Sequence, residues 1–175
     1  MSIAEQTEIL MKNLASSPQD ENLYKLLCEF NAKFRDSCEI YVDGACSSKT
    51  KKGGWAFIVV YKGSVVAEFS GSEEGTTNNR MELISAINAT RYASQLNLQT
   101  TIFSDSTYVV KGVTEWVHDW KNKDWKKADG GDVINPDLWK ILDESRGAII
   151  WKWVKAHADN TFNNRADQLA QAASK

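Results

Sequence analysis

The chain has 175 residues, of which 42% are hydrophobic and 25% are charged, and its formal net charge at pH 7 is −2. This length and apolar content suffice to bury the core of one ordinary domain without disulfide bonds or a structural metal. The three cysteines form no CxxC pair, which argues against a disulfide framework or a zinc site and favours reduced thiols in the cytoplasm.

The start of the chain predicts two amphipathic helices. Ser17 and Pro18 fit the N-cap and the first position of the second helix. Its apolar stripe must be covered by the rest of the chain or by a protein partner; the stripe consists of Leu23, Leu26, Leu27, Phe30 and Phe34. We expect a helical N-terminal extension over residues 1–38, with its junction at 36–38, and a main domain over residues 39–175.

From residue 39 the sequence pattern changes to strands alternating with helices. Strands are predicted at 40–42, 55–61, 65–69, 100–103 and 149–154. Helical segments are predicted from the region of Glu82 to about Leu96, within 107–127, from Pro136 onward, and over 163–174. This order predicts an α/β fold in which helices pack on a five-stranded mixed sheet. No apolar run reaches the roughly 18 residues that a membrane span needs, and Glu5 and Glu8 argue against a transit peptide.

The stretch TTNNRMEL, residues 76–83, places many hydrogen-bonding side chains before an apolar helical run. Asn79 and Glu82 fit a capping box, which by itself would explain the stretch. However, the spacing of Glu82 with Ala86 and Ala89 sets the glutamate at the border of the buried face. A carboxylate there is costly unless a cation or a hydrogen-bond donor meets it.

Three further acids lie near predicted element ends. Asp43-Gly44 ends the first strand and Asp105 follows the fourth, and each alone fits a turn or a helix cap. If the helix of Glu82 is the crossover between parallel strands, the carboxyl ends of both strands meet at one sheet edge, where ligands gather. Asp167 in the last helix could lie on a solvated face, but it follows an unusually polar strand-to-helix junction.

Several carboxylates share a small volume only when protons or cations relieve their repulsion. Oxygen-only ligation with open positions indicates magnesium or manganese rather than zinc. Residues 1 to 39 carry more acids than bases, whereas residues 40 to 175 are nearly neutral. If metal neutralises four acids of the second region, the remaining surface becomes net positive and could meet a phosphate backbone.

Five motifs, IYVDGAC, TTNNRMEL, FSDSTYV, WVKAHAD and NNRADQLA, resemble in order and spacing those of the bacterial-type ribonuclease HI family. The resemblance covers about residues 39–175 and implies a ribonuclease H-like fold, with this region as the catalytic domain. It implies an endonuclease that hydrolyses the RNA strand of RNA–DNA hybrids without sequence specificity and leaves 5′-phosphate and 3′-hydroxyl ends. It also implies catalysis by two Mg²⁺ ions, for which Mn²⁺ can substitute. The metal ligands of the family match Asp43, Glu82, Asp105 and Asp167, and His157 matches a residue that assists proton transfer or product release.

The resemblance also implies contacts with the substrate. Those near the acids match Gly44, Cys46, Lys49, Thr77, Asn78, Asn79, Thr107 and Asn163. Those in the family's basic protrusion match Trp116, Lys121, Lys123, Lys126 and Lys127. The asparagine pair would read the minor groove, where ribose 2′-hydroxyls distinguish RNA from DNA, and Thr77 would help to hold a DNA phosphate. We expect the tryptophans to act mainly in packing and the lysines mainly electrostatically.

The sequence departs from the family pattern in two loops. The segment ACSSKTKKGGW lacks the usual Asn-Pro-Gly-Pro-Gly pattern, so Lys49 stands where an asparagine often contacts substrate. Ala156 and Asp159 replace the glycines that usually flank the histidine. Two other functions stay open: a hybrid-binding module without catalysis, against which the four acids and His157 argue, and a different nuclease on the same fold.

Overall fold

The computed structural model describes residues 37–96, 98–156 and 160–175. The predicted N-terminal helices and His157 lie outside the described residues. The first strand already begins at Ser37, so Ser37 and Cys38 belong to the sheet and not to the junction that we predicted at 36–38.

A five-stranded mixed sheet forms the centre of the described domain, as the sequence predicts. In chain order the elements are β1 (Ser37–Cys46), β2 (Gly53–Tyr61), β3 (Ser64–Glu73), α1 (Asn78–Ala93), β4 (Gln99–Ser104), α2 (Thr107–Lys111), a π-helical turn (Gly112–Trp116), α3 (Val117–Asn122), α4 (Pro136–Ser145), β5 (Ile150–Trp153) and α5 (Thr161–Ala173). The strand order is β3-β2-β1-β4-β5. Strands β1 to β3 pair antiparallel, whereas β4 lies parallel to both β1 and β5. Within the described segments, no helix is long and apolar enough to cross a bilayer.

Strand β1 is buried on both faces because a helix covers each side of the sheet. Ile40 and Val42 point to one face and pack in a cluster with Ala89 of α1. Tyr41 points to the other face and packs in a cluster with Ala166 of α5. Small alanines at these positions let both helices approach the sheet closely. The two helices and the sheet therefore fix the positions of the side chains at the end of β1.

The helices after β4 form a second core around Trp139, which is completely buried. Its indole Nε1 donates a hydrogen bond of 2.8 Å to the hydroxyl of Tyr108. The ring lies against the backbone at Gly112, where an added Cβ would come within 1.9 Å of a ring atom. Gly112 is the first residue of the π-helical turn. The helical structure that the sequence predicts for 107–127 ends earlier, at Asn122.

Two local predictions near the acids are wrong. Strand β1 continues to Cys46 with Asp43 paired to Ala56, so Asp43-Gly44 is not a turn. The N-cap of α1 is Thr77, whose side chain accepts a hydrogen bond from the backbone of Arg80, so the capping box predicted at Asn79 does not form.

The last helix starts two residues before the predicted position. Its N-cap is Asn160, whose side chain accepts hydrogen bonds from the amides of Phe162 and Asn163. Asn163 therefore lies in the first turn of α5, where its side chain points into the protein. Helix α1 ends at Ala93, three residues before the predicted Leu96.

Candidate active site

Three acids from separate elements meet at the carboxyl ends of β1 and β4. Asp43 lies in β1, Asp105 follows β4, and Glu82 lies in the second turn of α1. The parallel register pairs Val42 with Ser104, which brings the two aspartates side by side. One carboxylate oxygen from each acid lies within 4.8 Å of one from both others. The structure thus brings together three of the four acids proposed as metal ligands.

Glu82 reaches this cluster because α1 approaches β1 closely at Gly44. A Cβ atom at position 44 would lie 2.3 Å from the backbone nitrogen of Glu82, far inside contact distance. The amide of Gly44 also donates a hydrogen bond of 2.8 Å to Asp43 Oδ1. The absence of a side chain at Gly44 therefore lets α1 pack directly against β1. The Gly44 amide in turn holds the carboxylate of Asp43.

The cluster is buried and strongly anionic. Asp43 and Glu82 are each only 5% exposed. Burial, followed by the charge of Asp105, raises the pKa of Asp43 to about 8, although the amide of Gly44 opposes the shift. Burial and then the charges of Asp43 and Asp105 raise the pKa of Glu82 well above its usual value. Among the described residues, therefore, no positive charge stabilises the ionised form of these two acids.

The carboxylate of Glu82 fits a divalent cation. Its Oε1 accepts a long hydrogen bond of 3.5 Å from Asn78 Nδ2. Its Oε2 is buried and has no hydrogen-bond partner among the described residues. A buried carboxylate oxygen without a partner is costly, and three carboxylates provide the hard oxygen donors that Mg²⁺ and Mn²⁺ prefer. The donor set and the unpartnered oxygen therefore suit a bound metal.

Asp105 is held from two sides. Asn163 Nδ2 donates a hydrogen bond of 3.0 Å to Asp105 Oδ2, and Trp153 Nε1 donates one of 3.0 Å to the Asp105 carbonyl. Asn163, which the sequence predicts to contact substrate, is only 1% exposed. The sequence did not reveal the hydrogen bond of Trp153. Alternation along a strand predicts the face on which a side chain lies, but it does not predict a contact with the neighbouring strand's end.

Asp167 lies in α5 at the margin of the cluster and is half-buried. Its charge raises the pKa of both Asp43 and Glu82, which shows that it is close to them. It does not belong to the group of three whose oxygens lie within 4.8 Å of one another. Gln171 Nε2 donates a hydrogen bond of 2.8 Å to Asp167 Oδ1. Asp167 therefore borders the cluster and interacts with Asp43 both by its charge and by a side-chain hydrogen bond.

The other residues predicted to contact substrate near the acids lie on the adjoining surface. Thr77 and Asn79 are exposed at the start of α1, and Thr107 is exposed at the start of α2. Lys49 is exposed in the loop after β1. The thiol of Cys46, at the end of β1, donates a hydrogen bond of 3.4 Å to the carbonyl of Thr76. The ends of β1 and α1 thus form one continuous surface next to the cluster.

The predicted basic protrusion contains two lysines that are already paired with acids. Lys121 Nζ lies 2.7 Å from Asp143, whose side chain is 7% exposed and also pairs with Arg146 at 2.9 Å. Lys126 pairs with the exposed Asp132. Lys123 is exposed and Lys127 is half-buried.

The tryptophans of this region pack against one another, as predicted. The ring of Trp116 lies 6.4 Å from that of Tyr108 and 5.7 Å from that of Trp120. Trp120 in turn meets the buried Trp139 edge-on at 5.4 Å. These contacts give Trp116 a structural role, whether or not it also meets substrate.

The base of the protrusion is tied to the start of α1. Arg80 donates hydrogen bonds of 3.3 and 3.0 Å to the two carboxylate oxygens of Asp137, in the first turn of α4. This planar pairing has the geometry of a strong arginine–carboxylate interaction. It connects the helix that carries Glu82 with the second core.

Comparison with known proteins gives consistent matches. The sequence profile of the RNase H family matches residues 35–175. A ribonuclease H from Chromobacterium violaceum is 46% identical over 138 residues, which are 77% of this chain and 92% of that protein. The crystal structure of LC9-RNase H1, a type 1 RNase H with the type 2 active-site motif, is 32% identical with a TM-score of 0.70, covering 80% of this chain and 72% of that one. A foamy viral protease–reverse transcriptase in complex with RNA/DNA hybrid shares the fold, with a TM-score of 0.72 at 19% identity, covering 80% of this chain and 20% of that one.

Proposed function

The chain belongs to the RNase H family of nucleases, and we propose that it hydrolyses the RNA strand of RNA–DNA hybrids as an endonuclease without sequence specificity. The proposed products carry 5′-phosphate and 3′-hydroxyl ends. The observation that carries the proposal is the meeting of Asp43, Glu82 and Asp105, with oxygens within 4.8 Å of one another and one buried oxygen of Glu82 unpartnered. The catalytic domain in this proposal comprises residues 39–175.

Four acids would hold two divalent ions, with Mg²⁺ as the natural metal and Mn²⁺ as a substitute. Asp43, Glu82 and Asp105 would provide the closest oxygens, and Asp167 would complete the set from α5. When bound, such a pair of ions activates the attacking water and stabilises the leaving 3′ oxygen in an in-line displacement. The raised pKa of Asp43 means that this carboxyl must lose its proton when it becomes a ligand, so metal affinity would rise with pH.

Other residues would orient the acids and the substrate. Asn163 and Trp153 would keep Asp105 in one orientation through the hydrogen bonds described above. Asn78 and Asn79 at the start of α1 would face the minor groove of the hybrid, where 2′-hydroxyls mark the RNA strand. His157 would assist proton transfer or product release, a role that histidine suits because an unperturbed imidazole has a pKa of about 6.5. The role of His157 is supported by the sequence motif alone.

A cytoplasmic location is part of the proposal. It is supported by Cys38, which is a buried free thiol, and by Cys46, which is a half-buried free thiol, because reduced cysteines are typical of that compartment.

A panel of four substrates tests the proposed function. The full chain is incubated with an end-labelled RNA–DNA hybrid, duplex DNA, duplex RNA and single-stranded RNA, with Mg²⁺, Mn²⁺ or a chelator. We expect cuts within the RNA of the hybrid alone, and only with metal. Digestion of the RNA fragments by an exonuclease that requires a 5′-phosphate identifies the product ends.

Two results would refute the proposal. Equal cleavage of duplex RNA or duplex DNA would indicate a different nuclease on this fold. Binding of the hybrid without any cleavage, in either metal, would indicate a binding module. The Asp105→Asn variant, prepared in the same way, excludes contamination by a host nuclease, since it should lose the cleavage that the parent chain shows.

A further inference from the structure

We propose that the loop between β1 and β2, residues 47–52, is a cationic contact for the sugar-phosphate backbone of the hybrid, an inference that rests on the proposed function. The loop contains Lys49, Lys51 and Lys52. Only Lys49 corresponds to a position where the family has a substrate contact. The inference concerns the three lysines of the loop together, as one cationic surface.

The loop has a defined shape and is fastened beside the start of α1. Within it, the amide of Ser47 bonds the carbonyl of Lys52 at 2.9 Å, and the amide of Lys51 bonds the carbonyl of Ser47 at 2.9 Å. A third hydrogen bond, 3.0 Å long, runs from the amide of Thr76 to the carbonyl of Lys51. Thr76 directly precedes Thr77, the N-cap of the helix that carries Glu82. The lysines therefore stand on the same edge of the domain as the acid cluster.

The charges of these lysines are available to a ligand. Lys49 and Lys51 are exposed and Lys52 is half-buried. None of the three forms an ion pair within residues 37–96, 98–156 and 160–175, where the ion pairs involve other cations. In the protrusion, by contrast, Lys121 and Lys126 both pair with acids. A phosphate would have to displace those acids, whereas at the loop it meets no competing carboxylate in contact.

Two acids lie near the loop but do not cancel its positive charge. Glu73 pairs with Gly53 at the end of β3, and Glu74 follows it. The charge of Glu73 acts on Arg80, whose pKa it helps to raise. Three lysines beside two acids leave the loop net positive. A polyanion that tracks the edge of the sheet would therefore bind there by releasing counterions.

The test compares the salt dependence of hybrid binding in two matched variants. Binding of a fluorescent hybrid is measured by anisotropy in the full Asp105→Asn chain, so that cleavage does not interfere. The loop variant carries Lys49→Ala and Lys51→Asn. Asparagine is chosen because Lys51 has φ 57°, a left-handed conformation that asparagine tolerates. The control carries Lys62→Asn and Lys175→Ala, which remove the same charge; Lys62 has φ 50° and lies in the turn at the other end of β2.

We expect the loop variant to bind about tenfold more weakly near ~100 mM salt and to lower the slope of log affinity against log salt by about 2, since each phosphate contact contributes about 0.9. The control should match the parent chain in both quantities. A single Lys49→Glu variant, at an exposed position, should also weaken binding and guards against misfolding of the double variant. If both loop variants have the same affinity for the hybrid and the same salt slope as the control, the inference is overturned. If the parent chain does not cleave the hybrid at all, the proposed function fails instead, whatever the slopes.

Discussion

The acid cluster and the protrusion differ in the cations that surround their buried carboxylates. In the cluster, Asp43 and Glu82 are buried beside other carboxylates, and the pKa values of both are raised. In the protrusion, Asp143 is also almost buried, but Lys121 and Arg146 both pair with it. Both regions hold buried carboxylates, and within the part of the chain that the structure describes, cationic side chains pair with them in the protrusion alone.

The difference separates charges that serve stability from charges that await a ligand. A buried carboxylate with cations in contact makes a local structural link, and removing either partner destabilises the fold. A buried group of carboxylates without cations lowers stability unless something binds it. Sequence position alone does not distinguish the two cases, because each acid by itself fits an ordinary structural role. The following predictions test this comparison.

The largest effect is expected from removing a ligand of the cluster. Asp105→Asn or Asp43→Asn should lower the rate of hybrid cleavage by at least about 10³-fold, because metal-assisted stabilisation of the transition state is worth several kcal/mol. Single-turnover cleavage of a labelled hybrid measures the rate. Asp132→Asn makes the same chemical change in an exposed ion pair of the protrusion and should stay within about twofold of the parent. Similar losses in the three variants would mean that the comparison does not hold.

A smaller loss of activity is expected when Asp105 loses the side chain that orients it. Asn163→Ala should lower activity or metal affinity about 10- to 100-fold, as is typical when a group that orients a metal ligand is removed. The concentration of Mg²⁺ at half-maximal cleavage should rise, which a purely structural defect would not cause. Gln168→Ala, on the exposed side of the same helix, serves as the control. An unchanged Mg²⁺ dependence would assign Asn163 to packing alone.

The metal-free protein should become less stable as the pH rises. The pKa of Asp43 is raised from 3.8 in the unfolded chain to about 8 in the folded protein. Between these values the folded state binds the extra proton, so the free energy of unfolding falls with increasing pH. Thermal unfolding in a chelator, from about pH 5 to about pH 8, should show this decline. Asp43→Asn should flatten it and stabilise the protein at the upper end by on the order of 2 kcal/mol. A midpoint that rises over this range would contradict the assignment.

The smallest effect concerns the two acids, Asp143 and Asp132, that form ion pairs in the protrusion. Asp143→Ala should lower the free energy of unfolding by about 1 to 2 kcal/mol, because it leaves Lys121 and Arg146 without their nearly buried partner. Asp132→Ala removes an exposed partner and should cost less than about 0.5 kcal/mol. Urea unfolding monitored by tryptophan fluorescence distinguishes the two. Equal costs would show that burial does not set the strength of these pairs.

The order of strands and helices made the meeting of Asp43, Glu82 and Asp105 predictable from sequence. Once the helix of Glu82 was interpreted as a crossover between parallel strands, the two aspartates had to emerge at one edge. The capping box at Asn79 was wrong because the N-cap of the helix lies two residues earlier, at Thr77. When several polar residues are adjacent, a local capping pattern does not determine which of them becomes the N-cap.

Contacts that depend on helix phase or loop shape could not be predicted. A start of α5 at Thr161 turns Asn163 inward, toward Asp105, whereas its sequence motif indicated a surface contact. The pairing of Lys126 with Asp132 requires a loop in which Asp124 and Trp125 both adopt positive φ. Such conformations are rare for residues other than glycine, and the sequence gives no signal for them.

The close approach of α1 to β1 at Gly44 has a thermodynamic consequence for the centre it supports. Since the strand and the helix already touch, folding fixes the spacing of Asp43 and Glu82 before any ion arrives. A metal that enters such a site orders little further backbone, so its affinity is not reduced by a large loss of conformational entropy. Burial of the carboxylates, followed by their mutual repulsion, is then the main cost of keeping the empty centre assembled, and a bound ion offsets both.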